Sequence, residues 1–430
     1  MENSPLSEHG RLDNPVRAET SAEALDLFAR HVSPGKVAFF RAGGFEFVMG
    51  RREGPYMWDL DGKRRLINCH CNGGVFNFGH RHPELVAALE QALRDYDIGN
   101  HHLPSLRRAR LAEKLAACTP GALQFTVFAV GGGEAIDCAI KVARKATGRR
   151  RVVSACGGYH GHTGLALAAG EPKFSAPFLS ENNDFARVQF DDLDALDAAV
   201  TDEVAAVLLE TVPTTLGMPI PGAGYLPGVK ALCEARGAVY IADEVQTGLG
   251  RTGKCWGIEH FGVTPDILVT GKGLSGGLYP IAATVLTPAM EAVFHEDPFS
   301  HISTFGGSEL GCAVAEKVLD LLHADGFLDQ VNRVSQKVYD GLEALRRKHA
   351  GLVAEVRRLG FLMGVRMTGQ GMGRLMAKAC YDAGLFCVYA AHDTSVLQFL
   401  PPLITDADLA EEILQRMDRA LDIAGQLLAY

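Results

Sequence analysis

Residues 266–272 read DILVTGK, a short apolar run that ends in a glycine and a lysine. Upstream, residues 238–253 read AVYIADEVQTGLGRTG, in which a second apolar run ends at Asp243. An amine at Lys272 and a carboxylate at Asp243 are the two groups that pyridoxal phosphate chemistry requires, since the amine forms a Schiff base with the aldehyde and the carboxylate keeps the pyridine nitrogen protonated. Either residue alone is as readily a loop end or a helix cap, so the prediction depends on the rest of the site.

Other apolar runs also end in polar or glycine-rich turns. QFTVFA precedes Gly131, RVVSA precedes Gly157 and AAVLL precedes Glu210. Short runs without alternation, separated by helical stretches, are typical of a parallel sheet covered by helices on both faces. Ligands of such sheets bind at the carboxyl ends of the strands. The sequence therefore predicts one site that collects the residues at these ends: Gly132, Tyr159, Glu210, Asp243 and Lys272.

The glycines 131–133 lead directly into EAIDCAIKVAR, whose apolar residues recur at helical spacing. Free backbone amides at the start of a helix bind phosphate, so Gly132 and Gly133 are predicted phosphate ligands, although a plain tight turn is the alternative. The GxGxxG spacing of dinucleotide sites is absent, and a nicotinamide site would leave Lys272 unexplained. Thr304, in STFGG, is a second candidate phosphate donor.

Tyr159 follows two glycines and precedes His160, a setting that can hold an aromatic ring over the cofactor plane, where stacking contributes about 0.5–1.5 kcal/mol. Val245 is the candidate for the opposite face of the cofactor ring. Gln246 is the candidate for its phenolic oxygen. The alternatives are that Tyr159 is a core residue, that Val245 is in ordinary packing and that Gln246 is a solvated amide.

Together these residues resemble the class III (omega) aminotransferases, which are fold type I pyridoxal phosphate enzymes. The likeness covers nearly the whole chain through WDLDGK at residue 58, NFGHRHP at 77, GGEA at 132, GYHG at 158, DEVQTGLGRTG at 243, PDI at 265 with Lys272, STFGG at 303 and PPL at 401. The resemblance implies an α/β large domain with a mostly parallel seven-stranded sheet, and a smaller α+β domain made from both chain ends.

The resemblance also implies roles for individual residues. Lys272 is the Schiff-base lysine and proton shuttle, and Asp243 is the partner of the pyridine nitrogen. Thr304 reaches the phosphate of the neighbouring subunit, which implies a homodimer with shared active sites. The implied cofactor contacts are Gly132, Gly133, Tyr159, His160, Glu210, Asp243, Val245, Gln246, Lys272 and Thr304.

The departures from relatives that act on glutamate concern the substrate. Gln398 stands where those relatives carry an arginine that holds a substrate carboxylate, and Thr215 replaces the glutamate on which that arginine rests. His162 replaces another arginine. Losing a charged bidentate contact forfeits roughly 1.5–3 kcal/mol of carboxylate binding, which disfavours glutamate and 2-oxoglutarate as the preferred pair. Trp58, Phe40, Trp256 and Tyr279 are candidate substrate-lining residues, with ordinary core packing as the alternative for each.

Composition agrees with a cytoplasmic enzyme of more than one domain. The chain has 430 residues, of which 47% are hydrophobic, enough to bury a large core. A net charge of −9 disfavours a nucleic-acid partner. No apolar run approaches the roughly 18 residues of a membrane span, and no signal peptide is evident. Ten cysteines without a CxxC pair indicate a reducing compartment.

The domain organisation is predicted from element signals. Residues 1–66 form an N-terminal arm, with a serine-capped helix up to His31, and then strands and a turn of the small domain from residue 33 onward. Residues 67–312 form the large cofactor-binding domain, and residues 313–430 complete the small domain. Cys69 and Cys71 lie in a strand-like run with His70 on the opposite face, and no metal site is predicted there.

The predicted function is transfer of an amino group from a primary amine, omega-amino acid or amino acid to a 2-oxo acid, with pyruvate as the favoured acceptor, by a ping-pong mechanism. Racemases, epimerases and aminomutases share the fold and the ring contacts, so they are the alternative. A binding protein without turnover is disfavoured because Lys272, Asp243 and Gln246 are all present.

Overall fold

The computed structural model describes residues 20–428, which form two compact units. The smaller unit comprises residues 20–52 and 56–66. Its elements are α1 (Ser21–His31), α2 (Pro34–Gly43), β1 (Met49–Glu53), β2 (Tyr56–Asp59) and the start of β3 (Arg65–Asn68). The larger unit comprises residues 53–55 and 67–428. The division of the chain into domains at residues 66 and 312 remains a prediction.

Two details of the N-terminal prediction are wrong. The cap of α1 is Thr20, whose hydroxyl accepts a hydrogen bond from Glu23 N (3.3 Å) while the Glu23 carboxylate accepts one from Thr20 N (3.2 Å), so the capping box starts one residue before Ser21. Residues 34–43, expected among the strands and turn, are helical. Ser33 caps this helix and Pro34 fits its first turn.

The larger unit is built on a seven-stranded sheet with strand order β4-β10-β9-β8-β7-β5-β6. Only β10 runs antiparallel to its neighbours within this sheet. The strands are β4 (Phe125–Ala129), β5 (Arg151–Ala155), β6 (Phe185–Val188), β7 (Val204–Glu210), β8 (Val239–Asp243), β9 (Ile267–Thr270) and β10 (Ala282–Leu286). The predicted α/β class and mostly parallel sheet are confirmed.

Helices cover both faces of this sheet, which explains the continuous apolar runs. Val207 and Leu209 of β7 belong to one hydrophobic cluster, whereas Ala206 and Leu208 point into another. The helices up to the end of the sheet are α3 (Cys71–Gly74), α4 (Pro83–Asp95), α5 (Leu106–Cys118), α6 (Gly132–Thr147), α7 (Gly164–Ala169), α8 (Pro172–Ser175), α9 (Leu193–Ala199), α10 (Tyr225–Arg236) and α11 (Pro288–Glu291).

The C-terminal part of the larger unit begins with a long helix. Its helices are α12 (Glu309–Leu322), α13 (Phe327–Lys348), α14 (Met372–Ala383) and α15 (Ala407–Leu428). Its strands are β11 (Val353–Leu359), β12 (Leu362–Met367), β13 (Leu385–Phe386), β14 (Val388–Tyr389) and β15 (Val396–Phe399). Four of them form a second sheet in the order β11-β12-β15-β14. No helix within residues 20–428 is both long and apolar enough to cross a bilayer.

Candidate active site

The polar residues at the strand ends surround one cavity of about 160 Å³. It lies at the carboxyl edge of the large sheet, because β5, β7, β8 and β9 all run in the same direction. Its lining is Gly132, Gly133, Tyr159, His160, Gly161, Glu210, Asp243, Val245, Gln246 and Lys272. The convergence that the sequence predicts is therefore present in the fold.

Lys272 follows β9 and begins a short 3-10 segment, Lys272–Ser275, with φ of 41°. A positive φ is uncommon for a residue other than glycine, and such conformations concentrate at functional sites. Its Nζ donates a hydrogen bond of 2.9 Å to Gln246 Oε1. Desolvation lowers the pKa of the lysine amine, although the Asp243 and Glu210 carboxylates act in the opposite direction. A lowered pKa makes the neutral amine more accessible for chemistry.

Asp243 is fixed by two contacts at the end of β8. Its Oδ2 accepts a hydrogen bond of 2.8 Å from His160 Nδ1, since a carboxylate only accepts, and its Oδ1 accepts one of 3.1 Å from Val245 N. The side chain is nearly fully buried. The remaining His160 nitrogen, Nε2, is buried without a hydrogen-bond partner among the described residues. A positioned carboxylate of this kind can pair with a cationic ring nitrogen.

Glu210, at the end of β7, forms the next part of the wall. Its Oε1 accepts a hydrogen bond of 2.9 Å from Tyr159 N, which fixes the turn after β5. Burial raises the pKa of the Glu210 carboxyl to about 7, and the Asp243 charge adds to this shift, whereas His160 opposes it. A group that titrates near neutrality next to Asp243 adjusts the charge of the site with pH.

Gln246 is oriented by two contacts on one atom. Its Oε1 accepts hydrogen bonds from Lys272 Nζ and from the Thr214 hydroxyl (3.1 Å). Its Nε2 is buried and has no partner within residues 20–428. A buried donor without a partner is costly, so this amide is set to donate to a ligand oxygen. The sequence placed Gln246 at the site without indicating its bond to Lys272.

The glycine turn after β4 opens α6, a helix of 16 residues. A Cβ at Gly132 would lie 3.1 Å from Val245 Cγ1, and a Cβ at Gly133 would lie 2.9 Å from Thr163 Oγ1. The space above the turn is thus open because glycine has no side chain at these two positions. Val130 N already bonds the Glu134 carboxylate at 2.8 Å, and the amides that follow remain the helix N-terminus that anions prefer.

Tyr159 belongs to an aromatic group beside the cavity. Its ring lies 5.4 Å from the His162 ring and 5.6 Å from the Phe174 ring, centroid to centroid. His162 is exposed and is not among the lining residues. Burial raises the pKa of the Tyr159 phenol, so the ring is neutral at physiological pH. These contacts hold the tyrosine ring at the wall of the cavity.

Gln398 and Thr215 are not among the ten residues that line the cavity. Gln398 is buried in β15, and its interaction with His70 opposes the lowering of the His70 pKa. The Thr215 hydroxyl donates to Gly157 O at 2.6 Å, and its carbonyl accepts from His392 N at 2.8 Å. Neither side chain forms an ion pair in the described structure, which agrees with the absence of an arginine at position 398.

His70 and Thr214 lie near the site, but the sequence analysis predicted a site role for neither. Burial and the positive charge of Lys272 lower the pKa of this imidazole to about 4, although the hydrogen bond to Gln398 opposes the shift. The predicted strand-like run is wrong, because β3 ends at Asn68 and Cys71 and Asn72 adopt φ of 51° and 50°. Two glycines at 73 and 74 were the available signal for this turn. A Cβ at Gly73 would lie 3.1 Å from Lys272 Cε.

Three other candidates lie elsewhere. Thr304 is exposed on a loop and does not line the cavity of its own chain. Trp58 belongs to the smaller unit, where Arg51 lies 5.0 Å over its ring. Trp256 is fully buried and donates to Cys118 O at 2.7 Å, so its predicted role in the substrate wall is wrong.

Glu244 explains why the segment after Asp243 holds its shape. This buried carboxylate accepts hydrogen bonds from the Thr211 and Thr247 hydroxyls and from the amides of Gly257 and Ile258, the latter two at 2.8 Å. Burial nevertheless raises its pKa to about 7. The bonds to Gly257 and Ile258 connect the two ends of the loop that carries Val245 and Gln246, and the bond to Thr211 ties the loop to the end of β7.

The residues that line the cavity fit pyridoxal phosphate. The buried Gln246 Nε2 is a donor for the phenolic oxygen, and Asp243 supplies the carboxylate for the ring nitrogen. Lys272 supplies the amine, and the turn before α6 supplies an anion seat that side chains at 132 and 133 would obstruct. The donors, charge and amine match the cofactor's functional groups.

Comparison with known proteins agrees with this match. The model of the aminotransferase class-III family matches residues 41–421. The chain is 52% identical over 405 residues to an uncharacterised aminotransferase of Archaeoglobus fulgidus, covering 94% of this chain and 95% of the relative. It is 34% identical over 413 residues to the putrescine aminotransferase of Pectobacterium atrosepticum, covering 93% and 88%.

Among solved structures, the taurine:2-oxoglutarate aminotransferase of Bifidobacterium kashiwanohense, in complex with pyridoxal phosphate and glutamate, superposes with a TM-score of 0.86 at 26% identity. The similarity covers 95% of this chain and 98% of that one. The site, the family match and the relatives agree on the cofactor and on the reaction type. The chain belongs to the class III aminotransferases, which are fold type I pyridoxal phosphate enzymes.

Proposed function

We propose that this aminotransferase takes the amino group of a primary amine, an omega-amino acid or an amino acid of low acidity and transfers it to a 2-oxo acid, with pyruvate as the acceptor. The observation that carries this proposal is that Gln398, at the position where the resemblance implies an arginine in relatives that act on glutamate, is a buried neutral amide, and that the pKa of His70 is lowered to about 4, which keeps that imidazole neutral. A neutral amide and a neutral imidazole form hydrogen bonds without contributing the charge that a second substrate carboxylate requires.

The cofactor, when bound, supplies an aldehyde and an electron-accepting ring. Lys272 anchors it, and Asp243, held by His160 and Val245 N, keeps the ring nitrogen protonated. Gln246 Nε2 would donate to the phenolic oxygen, Tyr159 and Val245 would contact the ring, and the amides of Gly132 and Gly133 would hold the phosphate. Glu210 positions Tyr159 through the backbone amide.

Lys272 also moves the proton. Its lowered pKa makes the amine available as a base once an incoming amine has displaced it from the cofactor. Gln246 Oε1 orients the amine, and Thr214 in turn orients Gln246. With the cofactor bound, Lys272 would be the residue that accepts a proton from the donor carbon that bears nitrogen and returns it, and the same residue would serve both half-reactions.

Two further observations support an amine donor. Among the described residues that line the cavity, Lys272 has the one lysine or arginine side chain, so a distal carboxylate of the donor would meet no guanidinium there. The nearby Arg251 is fully buried and engaged with Asn77 Oδ1 (2.7 Å) and two backbone carbonyls. The 34% identical relative is a putrescine aminotransferase, which makes a diamine the first donor to test.

The test is a half-reaction screen. The holoenzyme is mixed with diamines, omega-amino acids, alanine and glutamate, and conversion of the cofactor to its amine form is followed by absorbance. Conversion by diamines or omega-amino acids that exceeds conversion by glutamate supports the proposal. Faster conversion by glutamate contradicts it, and proton exchange of the donor without conversion indicates racemase or mutase chemistry instead.

Gln398 gives the donor preference a direct test. Replacing Gln398 with arginine, together with Thr215→Glu, is expected to raise kcat/KM for glutamate by about ten- to a hundredfold, because a charged hydrogen bond contributes roughly 1.5–3 kcal/mol. Diamine use should fall, since the new cation repels the distal ammonium. Gln415→Arg adds the same charge on the exposed face of α15 and is the matched control. An unchanged ratio of glutamate to diamine use would remove Gln398 from the specificity argument.

We also propose a homodimer in which Thr304 contacts the phosphate bound by the other subunit. The threonine is exposed and lies away from the cavity of its own chain, which supports a contact across an interface. Thr304→Ala and Lys272→Ala chains should each be nearly inactive, whereas dimers that contain one chain of each type should recover one intact site. Activity of co-expressed, doubly tagged heterodimers measures this. No recovery in purified heterodimers would contradict the shared site.

We propose that the enzyme acts in the cytoplasm. All ten cysteines are free, and eight of them are buried, as is usual for proteins of a reducing compartment.

A further inference from the structure

A second group of reactive side chains lies outside the catalytic cavity. The Sγ atoms of Cys118 and Cys255 and a ring nitrogen of His323 all lie within 4.8 Å of one another. None of these residues lines the cavity that contains Lys272, and the aminotransferase mechanism uses none of them. The spacing is compatible with one tetrahedral ion, whose bonds to sulfur and nitrogen are about 2.3 and 2.0–2.1 Å.

Three different elements position the group. Cys118 is the last residue of α5, His323 is the cap after α12, and Cys255 precedes the short 3-10 segment Gly257–Phe261. Trp256 Nε1 donates to Cys118 O at 2.7 Å, so the neighbour of one cysteine is fastened directly to the other. The two thiols are therefore brought together by protein contacts alone, which reduces the entropy cost of binding an ion.

A hydrogen bond to a backbone carbonyl fixes the tautomer of His323. His323 Nδ1 lies 2.8 Å from Leu319 O, and because a carbonyl can only accept, Nδ1 carries the proton. Nε2 thus keeps its lone pair. Metal-binding histidines commonly donate their other ring nitrogen to a backbone carbonyl in this way, which fixes the ring orientation.

The electrostatic surroundings favour a cation. The carboxyl ends of α5 and α12 meet at the group, and helix carboxyl ends carry a partial negative charge. An adjacent cavity of about 240 Å³ is lined by Cys118, His323, Leu319, Asp320, Lys114 and Ala117, which leaves room for a fourth ligand such as water. The Asp320 carboxylate is bonded by Lys114, so it balances that ammonium.

We propose that Cys118, Cys255 and His323 form a binding site for a thiophilic divalent cation of the zinc type. Two sulfurs and one imidazole match zinc or cobalt and are poor ligands for magnesium or calcium. Binding replaces one proton on each thiol, so the two protons leave to solvent as the ion enters, and no oxidant is consumed. The ion would join α5, α12 and the segment after the Asp243 loop, which makes the site structural.

A second group in the chain, His349, Asp418 and Asp422, has similar spacing but different surroundings. Lys348 Nζ already lies 2.7 Å from both oxygens of Asp418, and His349 Nε2 lies 2.8 Å from one of them. An internal ammonium therefore occupies the position that a metal would take. This group supplies a control for the experiment.

The experiment uses reduced holoenzyme titrated with Co²⁺, followed by Zn²⁺ as competitor. The expected result is one equivalent of tetrahedral cobalt with a sulfur-to-metal charge-transfer band, displaced by zinc, and a rise in the thermal midpoint with either ion. His323→Gln, at an exposed position, and Cys118→Ser should each weaken binding by about tenfold or more. Cys156→Ser and His349→Gln should bind as the unmodified enzyme does.

Three results would overturn the proposal. The first is cobalt binding that survives His323→Gln and Cys118→Ser together. The second is binding that His349→Gln abolishes, which would assign the ion to the other group. The third is the absence of any cobalt band in fully reduced enzyme. This result would overturn the proposal even if Cys118 and Cys255 formed a disulfide on oxidation. Amino transfer is measured in parallel. Its presence or absence tests the proposed aminotransferase function and not the metal site.

Discussion

Replacing Lys272 with alanine is expected to reduce turnover by about 10⁴-fold or more, the upper end of what a general base contributes. The substitution removes the anchor of the cofactor and the proton carrier at once, and no other lysine lines the cavity in the described structure. Gln246 Oε1 also loses its donor at 2.9 Å. Steady-state kinetics with the best donor of the screen measures the loss, and the cofactor spectrum shows whether the lysine-bound absorbance disappears.

Lys254→Ala is the matched control for this change. Lys254 is exposed and follows the Asp243 loop in sequence. Its Nζ donates a hydrogen bond of 3.0 Å to Glu259 O. Its removal should leave turnover and the cofactor spectrum unchanged. If Lys272→Ala retained turnover within tenfold of the parent enzyme while Lys254→Ala did not, Lys272 would not be the catalytic amine.

Replacing Asp243 with asparagine is expected to lower kcat by roughly 10²–10³-fold, the scale seen when one preorganised electrostatic contact is removed from a reacting group. Asparagine keeps the shape and can still accept the bond from His160, but it carries no charge to hold a proton on the ring nitrogen. A cofactor analogue methylated at that nitrogen carries the charge permanently. Reconstitution with this analogue should recover part of the lost rate in Asp243→Asn.

Glu210→Gln is the comparison for the second prediction. Glu210 is equally buried and adjacent in the sheet, yet its contacts are backbone amides and not the ring nitrogen. Its replacement should cost no more than about tenfold and should not respond to the methylated analogue. Equal losses for the two variants, or no recovery of Asp243→Asn by the analogue, would contradict the ring-nitrogen role of Asp243.

The large sheet could be predicted from sequence because each strand carries its own signal. The runs that end before Gly131, at Glu210 and at Asp243 form β4, β7 and β8. Every residue of β7 and β8 is buried, so no polar residue interrupts these two runs before each strand ends at the site, whereas β4 at the sheet edge is only partly buried and contains Thr126. The direction of β10 had no such signal, because an apolar run does not specify whether its neighbours are parallel or antiparallel.

The remaining errors concern residues whose conformation depends on distant contacts. Asn68 Oδ1 accepts hydrogen bonds from His70 N and Cys71 N at 3.2 and 2.8 Å, which ends the strand and turns His70 toward Lys272 and Gln398. Local alternation suggested the opposite. Trp256 was similarly misjudged, because only the fold shows that its indole nitrogen meets the carboxyl end of α5.

The position of β4 at the edge of the sheet has a consequence for biosynthesis. This strand leads to the phosphate turn, but its one neighbour in the sheet is β10, which begins at residue 282. At translation rates of about 5–20 residues per second, the ribosome needs roughly 8–30 s after β4 emerges to supply its partner. Throughout that interval the nascent chain has no complete phosphate seat. A complete phosphate seat is therefore expected only after β10 is made, when 286 of the 430 residues have been synthesised.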